Sequence, residues 1–269
     1  MKIMSYNVNG IRARLDQLRG VLDQFSPDII GLQETKVTDE EFPLDELADF
    51  GYNAYYTGQK THYGVALLSK LEPVSVTKGF PEGENEQKRL ISATFDTGEG
   101  SLHVLNGYYP QGENRDHPVK FPNKEKYYAD MHAYLRSHFS PDQMVVLVGD
   151  MNVAPVDDDI GIGEDNAKRW LRQGKSSFLP EERGWLAKLL DWGLHDTWRE
   201  RNPEVADCFS WFDYRSRGFE RDPKRGLRID LILASRPLME RCSETGIDYN
   251  FRAMKRPSDH CPIWADFDI

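Results

Sequence analysis

Cysteine is scarce in this chain. Its 269 residues include three, Cys208, Cys242 and Cys261, odd in number and far apart. That spacing argues against a disulfide framework and offers no CxxC-type zinc site. Long apolar runs are missing as well: none approaches the roughly 18 to 20 uncharged residues that span a bilayer. No membrane partner is therefore expected. The opening MKIMSYNVNGIRARL turns polar and charged too soon for a signal peptide, and a reducing cytoplasm is the expected location. Internal repeats and Ser/Gly linkers are also lacking, so residues 1–269 are expected to form one domain.

Net positive charge is the last absence. A formal charge of −10 and a pI near 5.2 argue, taken whole, against a nucleic-acid partner, because phosphate binding leaves a basic footprint. The balance differs by segment. Residues 214–228 hold Arg215, Arg217, Arg221, Lys224, Arg225 and Arg228 against Glu220 and Asp222, and residues 165–175 hold Lys168, Arg169, Arg172 and Lys175 against Asp165. Either stretch alone also reads as an ordinary solvated loop.

With 39% hydrophobic and 12% aromatic residues, the chain can bury a substantial core. Strands alternate with helices and loops, which places it in the α/β class. Alternation or β-rich character predicts strands at 2–7, 28–32, 54–56, 65–68, 74–77, 90–95, 102–108, 144–148, 227–234 and 262–267. The spacing of Ile11, Leu15, Leu18, Val21 and Leu22 predicts a helix over 11–25, and helical composition marks 121–139 and 180–192.

Polar groups recur where these strands end. Asn7 and Asn9 lie in SYNVNG, Glu34 in IIGLQET, Asp150 and Asn152 in VVLVGDMN, and Asp259 and His260 in RPSDHCPIW. Asp230 is embedded in the apolar run LRIDLIL and needs a partner, since an unpaired buried carboxylate costs several kcal/mol. A hard divalent cation prefers oxygen ligands, and Glu34 is the leading candidate to supply one. Zinc is disfavoured by the lack of thiol pairs and closely spaced histidines. Singly, each residue has a plain alternative: Glu34 and Asp150 as turn carboxylates, Asn7 and Asn152 as Asx-turn residues, His260 as a structural histidine, Asp230 as a partner of Arg228. The conjunction favours a metal-assisted site.

Together, SYNVNGIRA, GLQETK, HYGVALLS, NGYYPQGENRDHPVKFP, VGDMNVAP, SSFLPEER, FSWFDYRS, GLRIDLILAS and PSDHCP resemble the exonuclease III family of bacterial apurinic/apyrimidinic endonucleases. That family lies within the endonuclease/exonuclease/phosphatase superfamily. The resemblance runs nearly end to end and implies a DNase I-like four-layer α/β sandwich, two mostly antiparallel sheets packed face to face with helices outside. It implies a single catalytic domain that hydrolyses the phosphodiester 5′ to abasic sites in duplex DNA, with 3′→5′ exonuclease and 3′-end cleaning activity. The implied cofactor is magnesium, or manganese in its place. The implied partner is double-stranded DNA with abasic sites or blocked 3′ ends, and the implied state is a monomer.

Carried over by motif, Glu34 looks like the main metal ligand, with Asn7, Asp150, Asn152 and Asp259 around the same ion and Asn9 in the same network. Asp150 resembles the group that activates water, Asn152 the amide that orients water and phosphate, and His260 a phosphate contact supported by Asp230. Tyr108 resembles the active-site tyrosine, with Tyr109 as the neighbouring alternative. Whether Asp150 or His260 is the general base stays open; Asp150 is favoured because a cationic His260 suits phosphate stabilisation. Trp211, Phe212, Leu227 and Ile229 look like an apolar pocket for a base-free sugar, a small space that an intact base would not fit. Arg12, Arg89, Gln111 and Lys175, with Lys120, are expected phosphate contacts. One departure is visible: residues 218–226 form a longer and more basic stretch than the nearest bacterial relatives are expected to carry.

Overall fold

The computed structural model describes residues 1–83 and 86–269. The first half runs β1 (Lys2–Asn7), α1 (Leu15–Phe25), β2 (Ile29–Gln33), α2 (Leu44–Asp49), β3 (Asn53–Thr57), β4 (Val65–Ser69), β5 (Ser75–Lys78), β6 (Leu90–Asp96) and β7 (Ser101–Tyr108). The second half runs α3 (Lys120–His138), β8 (Met144–Asp150), α4 (Glu164–Arg172), α5 (Pro180–Asp191), β9 (Leu194–Asp196), α6 (Thr197–Arg201), β10 (Asp230–Ser235), α7 (Arg236–Met239), β11 (Cys242–Ile247) and β12 (Ile263–Phe267). Among the described residues, no helix is long and apolar enough to cross a membrane.

The strands form two six-stranded sheets, ordered β11-β12-β1-β2-β4-β3 and β5-β6-β7-β8-β10-β9. Each is antiparallel except for its central pair, β1/β2 in one and β7/β8 in the other. The expected sandwich of two mostly antiparallel sheets is what the chain adopts.

Side-chain alternation explains the layering. Successive residues of a strand point to opposite faces, so a strand covered on both sides must be apolar at every position. In β8, Val146 and Val148 pack between the sheets with Ile3, Ile29 and Val104. Val145 and Leu147 face the other way, onto Tyr128, Met131 and Leu135 of α3 and Leu186 and Leu189 of α5. Met4, Tyr6, Ile30 and Leu32 likewise meet Leu18, Val21 and Leu22 of α1. Helix, sheet, sheet, helix follows.

Several elements depart from the sequence expectation. The helix expected over 11–25 divides into a short 3₁₀ turn, Ile11–Ala13, and α1. The strand expected from 227 begins at Asp230, and Leu227 instead makes isolated bridges to Ile160 and Trp211. Helix α4 is not foreseen because it is short and mostly polar and fully buries no residue; its apolar side, Ala167 and Trp170, is only half-buried and is too brief a stripe to establish a 3.6-residue period. Strand β11 is an edge strand, CSETGI, exposed or half-buried after its first residue.

Near one rim the space between the sheets becomes polar. Buried Asn106 gives Nδ2 to the carbonyls of Leu32 and Ala66, and Gln33 gives Nε2 to Ser5 Oγ at 3.0 Å and Asn106 Oδ1 at 2.7 Å. Gly31 makes room for this amide cluster: a Cβ there would lie 2.7 Å from Val148 and 2.9 Å from Asn106. Gly31→Ala should therefore destabilise the protein by about 1–3 kcal/mol, the usual cost of overpacking a filled core. A lowered midpoint of chemical denaturation is the measurement, and an unchanged midpoint would show that the sheets part more easily than this packing implies.

Candidate active site

The two parallel pairs end at the same rim. Asn7 closes β1, Glu34 follows β2, Tyr108 closes β7 and Asp150 closes β8. Tyr108 and Asp150 are register partners, and Asp230, the first residue of β10, stands directly across from Asp150. Two carboxylates opposed across neighbouring strands repel each other, and both are buried here, Asp150 at 1% and Asp230 at 2% exposure. His260 resolves the conflict. Its Nδ1 lies 2.9 Å from Asp230 Oδ2, and its Nε2 faces Asp150 Oδ2 at 3.8 Å. Ser210 completes the cradle by donating Oγ–H to Asp230 at 2.6 Å while accepting the amides of Ile229 and Asp230. Arg228 is not Asp230's partner; its guanidinium is held by Asp159 and Asp196.

These charges set the protonation states. Burial works against the His260 cation, but Asp230 and Asp150 outweigh it and raise the pKa to about 10. Burial pushes Asp150 upward, as do Asp230 and Glu34, while His260 opposes the shift. Glu34 moves the other way. Burial alone would raise it, yet Lys36 beside it, aided by Asn7, holds it below its usual range.

Asn7 aligns the carboxylates. Its Nδ2 donates to Glu34 Oε1 and Asp150 Oδ2, both at 3.0 Å, while its Oδ1 accepts the Asn9 amide. Asn9 and Trp211 donate to the two oxygens of Asp259, at 2.8 and 3.0 Å. Asn152 is held just beyond the end of β8, its amide N–H donating to Asp150 Oδ1 and its Nδ2 to Tyr109 O. Asn9, Glu34 and Asn152 all have left-handed backbones, φ 45°, 53° and 53°, a conformation that non-glycine residues adopt at a cost and that clusters at functional sites.

Ligand atoms of Glu34, Asp150 and His260 lie within 4.8 Å of one another. With Nδ1 committed to Asp230 and the ring protonated, His260 has no lone pair to give. The carboxylates of Glu34 and Asp150 are the groups that could hold an ion, and such an oxygen set fits a hard divalent cation.

Above this floor lies a cavity of about 390 Å³ whose walls include Tyr108, Gln111, Asn152, Lys175, Trp211, Ile229 and Asp259. Tyr108, not Tyr109, faces it; Tyr109 is fully buried between Tyr127 and Tyr128. Leu227 stands behind Trp211 and Ile229. Phe212 lies outside the cavity, packed edge-on to Phe219 and Tyr249, because it follows Trp211 in extended chain and points to the opposite side. Arg89 is buried with its guanidinium on Tyr108 O and over the Tyr63 and Tyr108 rings. Arg12 and Lys120 are on the outer surface, and Lys120 is paired with Glu113.

A second cavity of about 700 Å³ shares Trp170, Lys175, Trp211 and Asp213 with the first. It brings the two basic stretches face to face, Arg169 and Arg172 from α4 against Arg221 and Arg225 from the loop after Trp211. Sequence reasoning misses Lys36, Trp170, Ser210 and Ser258, the last of which donates Oγ–H to Asn7 O and accepts the His260 amide. Lys36 sits in GLQETK, two residues from Glu34, and Ser258 in PSDHCP, two residues from His260, and that spacing is their signal; Trp170 and Ser210 carry none.

The sequence pattern of the Endonuclease/Exonuclease/phosphatase family matches residues 4–260. The chain is 54% identical over 268 residues to exodeoxyribonuclease III of Haemophilus influenzae, covering 99% of this chain and 100% of that one. Two solved structures superpose over the full length of both chains: a 3′ phosphatase from Neisseria bound to a product DNA hairpin, with TM-score 0.90 and 37% identity, and an AP endonuclease from Archaeoglobus fulgidus, with TM-score 0.91 and 34% identity.

The His260 arrangement is open to a direct check. Because its folded pKa is raised from 6.5 to about 10, the ion pair's contribution to stability is complete below pH 6.5 and is lost as the pH climbs through about 10. A histidine NMR titration should find this ring protonated at neutral pH, and Asp230→Asn should bring its midpoint down. A wild-type midpoint near 6.5 would refute the ion pair.

Proposed function

Since the chain belongs to the Endonuclease/Exonuclease/phosphatase family, in its exonuclease III branch, we propose that it is a DNA repair nuclease. It hydrolyses the phosphodiester 5′ to abasic sites in duplex DNA, leaving a 3′ hydroxyl, and trims and cleans 3′ ends. On this reading residues 1–269 work as one catalytic domain, a monomer in the cytoplasm with chromosomal DNA as substrate. The observation that carries the proposal is the juxtaposition of Glu34, Asp150 and His260 at the floor of a pocket walled by Trp211 and Ile229.

Glu34 and Asp150 would hold magnesium, or manganese in its place, with Asn7, Asn152 and Asp259 around it. When bound, the ion would withdraw charge from the phosphate oxygens and stabilise the leaving oxygen. The remaining work belongs to side chains. His260, kept cationic by Asp230, donates Nε2–H to a non-bridging phosphate oxygen. Asp150 takes the proton of the attacking water, and burial suits it to that task by bringing its pKa toward neutrality. Asn152 orients the water. Tyr108 stays a neutral phenol, because burial and then the charges of Glu34 and Asp150 raise its pKa, and it donates to phosphate.

Selection of damage follows from the walls. Trp211 and Ile229 leave an apolar slot that accepts a bare deoxyribose, and an intact base resists leaving its stack to enter. Lys175, seated 3.6 Å over the Trp170 ring, marks where this slot meets the basic cavity. We assign that larger cavity to the DNA backbone, which reconciles an acidic protein with a polyanionic substrate. Most of its negative charge lies elsewhere and limits indiscriminate adhesion.

An abasic-site duplex assayed beside an inositol phosphate tests the reading. Expected are incision 5′ to the lesion in magnesium, no cutting with a chelator or in Glu34→Ala, and a drop of about 10²–10⁴ in kcat for Asp150→Asn. Phosphate release from the inositol substrate without DNA incision would overturn it, and equal cutting of undamaged duplex would reduce it to a nonspecific nuclease. Arg221→Gln with Arg225→Gln should weaken duplex binding and lower the slope of log affinity against log salt by about 1 for each phosphate left without its arginine.

A further inference from the structure

Lys124 lies in KFPNKEKYYADM, a helical stretch whose two other lysines, Lys120 and Lys126, face solvent, yet its own side chain is wholly buried. It ends at Glu182, which is equally buried, with Nζ and Oε1 2.5 Å apart. An ammonium has three protons to place, and this one places all of them: on Glu182, on Asn152 O at 2.8 Å and on Gln111 O at 3.2 Å. Glu182 is satisfied in turn by the amides of Ser177 and Leu179, each 2.8 Å from Oε2.

The pair therefore joins three loops. Residues 109–115 carry Gln111, residues 151–156 carry Asn152, and residues 175–179 carry Lys175 and Ser177; all four residues line the reaction pocket. One helical turn beyond Lys124, Tyr128 donates its hydroxyl to Met151 O at 2.7 Å. Residues four apart share a helix face, so α3 grips two successive carbonyls of the loop that leaves β8. That grip falls where the backbone is least comfortable, at Asn152 with φ 53°. A left-handed residue persists when its surroundings over-determine it, and here Asp150, Tyr109 and Lys124 fix its amide, side chain and carbonyl respectively.

We propose that Lys124, through its ion pair with Glu182, is a positioning residue that sets the Asn152 carboxamide and the Gln111 and Ser177 loops against the scissile phosphate. The inference rests on the nuclease reading above. Filling space does not account for the pair, because well-packed apolar side chains of similar volume often replace a buried ion pair without loss of stability. They cannot hold two carbonyls and two amides in a fixed relation.

That difference supplies the test. Lys124→Met should lower the thermal midpoint by leaving Glu182 charged and unpaired. The double variant Lys124→Met with Glu182→Leu should recover most of that midpoint, while kcat on an abasic-site duplex stays about 10- to 100-fold below wild type, the scale of a misplaced catalytic group, and KM changes little. Recovery of both midpoint and kcat in the double variant would overturn the proposal. Should it not fold, Glu182→Gln keeps the shape and carries the same expected split between kcat and KM.

A readout free of turnover separates this inference from the function it rests on. In the double variant the Asn152 backbone amide should exchange with solvent sooner and its NMR signal should move. An Asn152 amide indistinguishable from wild type would sink the positioning role. Wild-type protein that fails to incise the duplex while Asn152 shifts in the variant would sink the nuclease reading instead.

Discussion

Two carboxylates facing each other across adjacent buried strands impose the order on which the rest of this molecule depends. Asp150 and Asp230 cannot both remain charged in that position without a cation between them, and His260 is that cation. The same rule is met around the rim by other pairs: Glu34 with Lys36, Glu182 with Lys124, and Asp159 and Asp196 with Arg228. Apart from Glu34 with Lys36, these contacts bring segments distant in sequence to one place. Asp230 and His260 are 30 residues apart, Lys124 and Glu182 are 58, and Asn7 and Asp150 are 143. The catalytic geometry and the tertiary connections are thus made by the same contacts.

A division of labour follows. The interior between the sheets is apolar except near the rim, the helices cover the outer faces, and chemistry is confined to the loops and strand ends on one side. The basic groups of α4 and the loop after Trp211 then meet over the pocket although the chain as a whole carries −10. Net charge describes behaviour in solution; the placement of a few guanidinium groups describes what is bound.

Much of this is legible in the amino-acid order. Strands such as β1 and β8 declare themselves through alternation or a continuous apolar run, and polar residues at their ends mark the rim. The family resemblance supplies the joining of those ends, which periodicity cannot, since it says nothing about which strands are neighbours. Helix α4 escapes because its apolar side is confined to Ala167, Trp170 and Leu171 within a short, mostly polar segment, and residues 227–229 read as strand because Leu227 and Ile229 are apolar for another reason: Ile229 walls the pocket and Leu227 backs it. Phe212 is grouped with Trp211 by adjacency, and the alternating backbone sends it into a separate aromatic cluster. Lys124 is invisible for a simpler reason, since a lysine within charged helical sequence gives no sign of being buried.

The amide cluster of Asn106 and Gln33 bears on how the chain avoids mispairing. Strand register in an apolar sandwich is guarded by which face is greasy, and a slip of two residues preserves that pattern. It would not preserve the bonds from Asn106 to the carbonyls of Leu32 and Ala66. A β2 or β4 displaced by two would strand carboxamides in hydrocarbon, each at a cost of order 1–3 kcal/mol. Those two side chains therefore act as a lock on alignment, admitting the one pairing that also brings Asn7, Glu34 and Asp150 level.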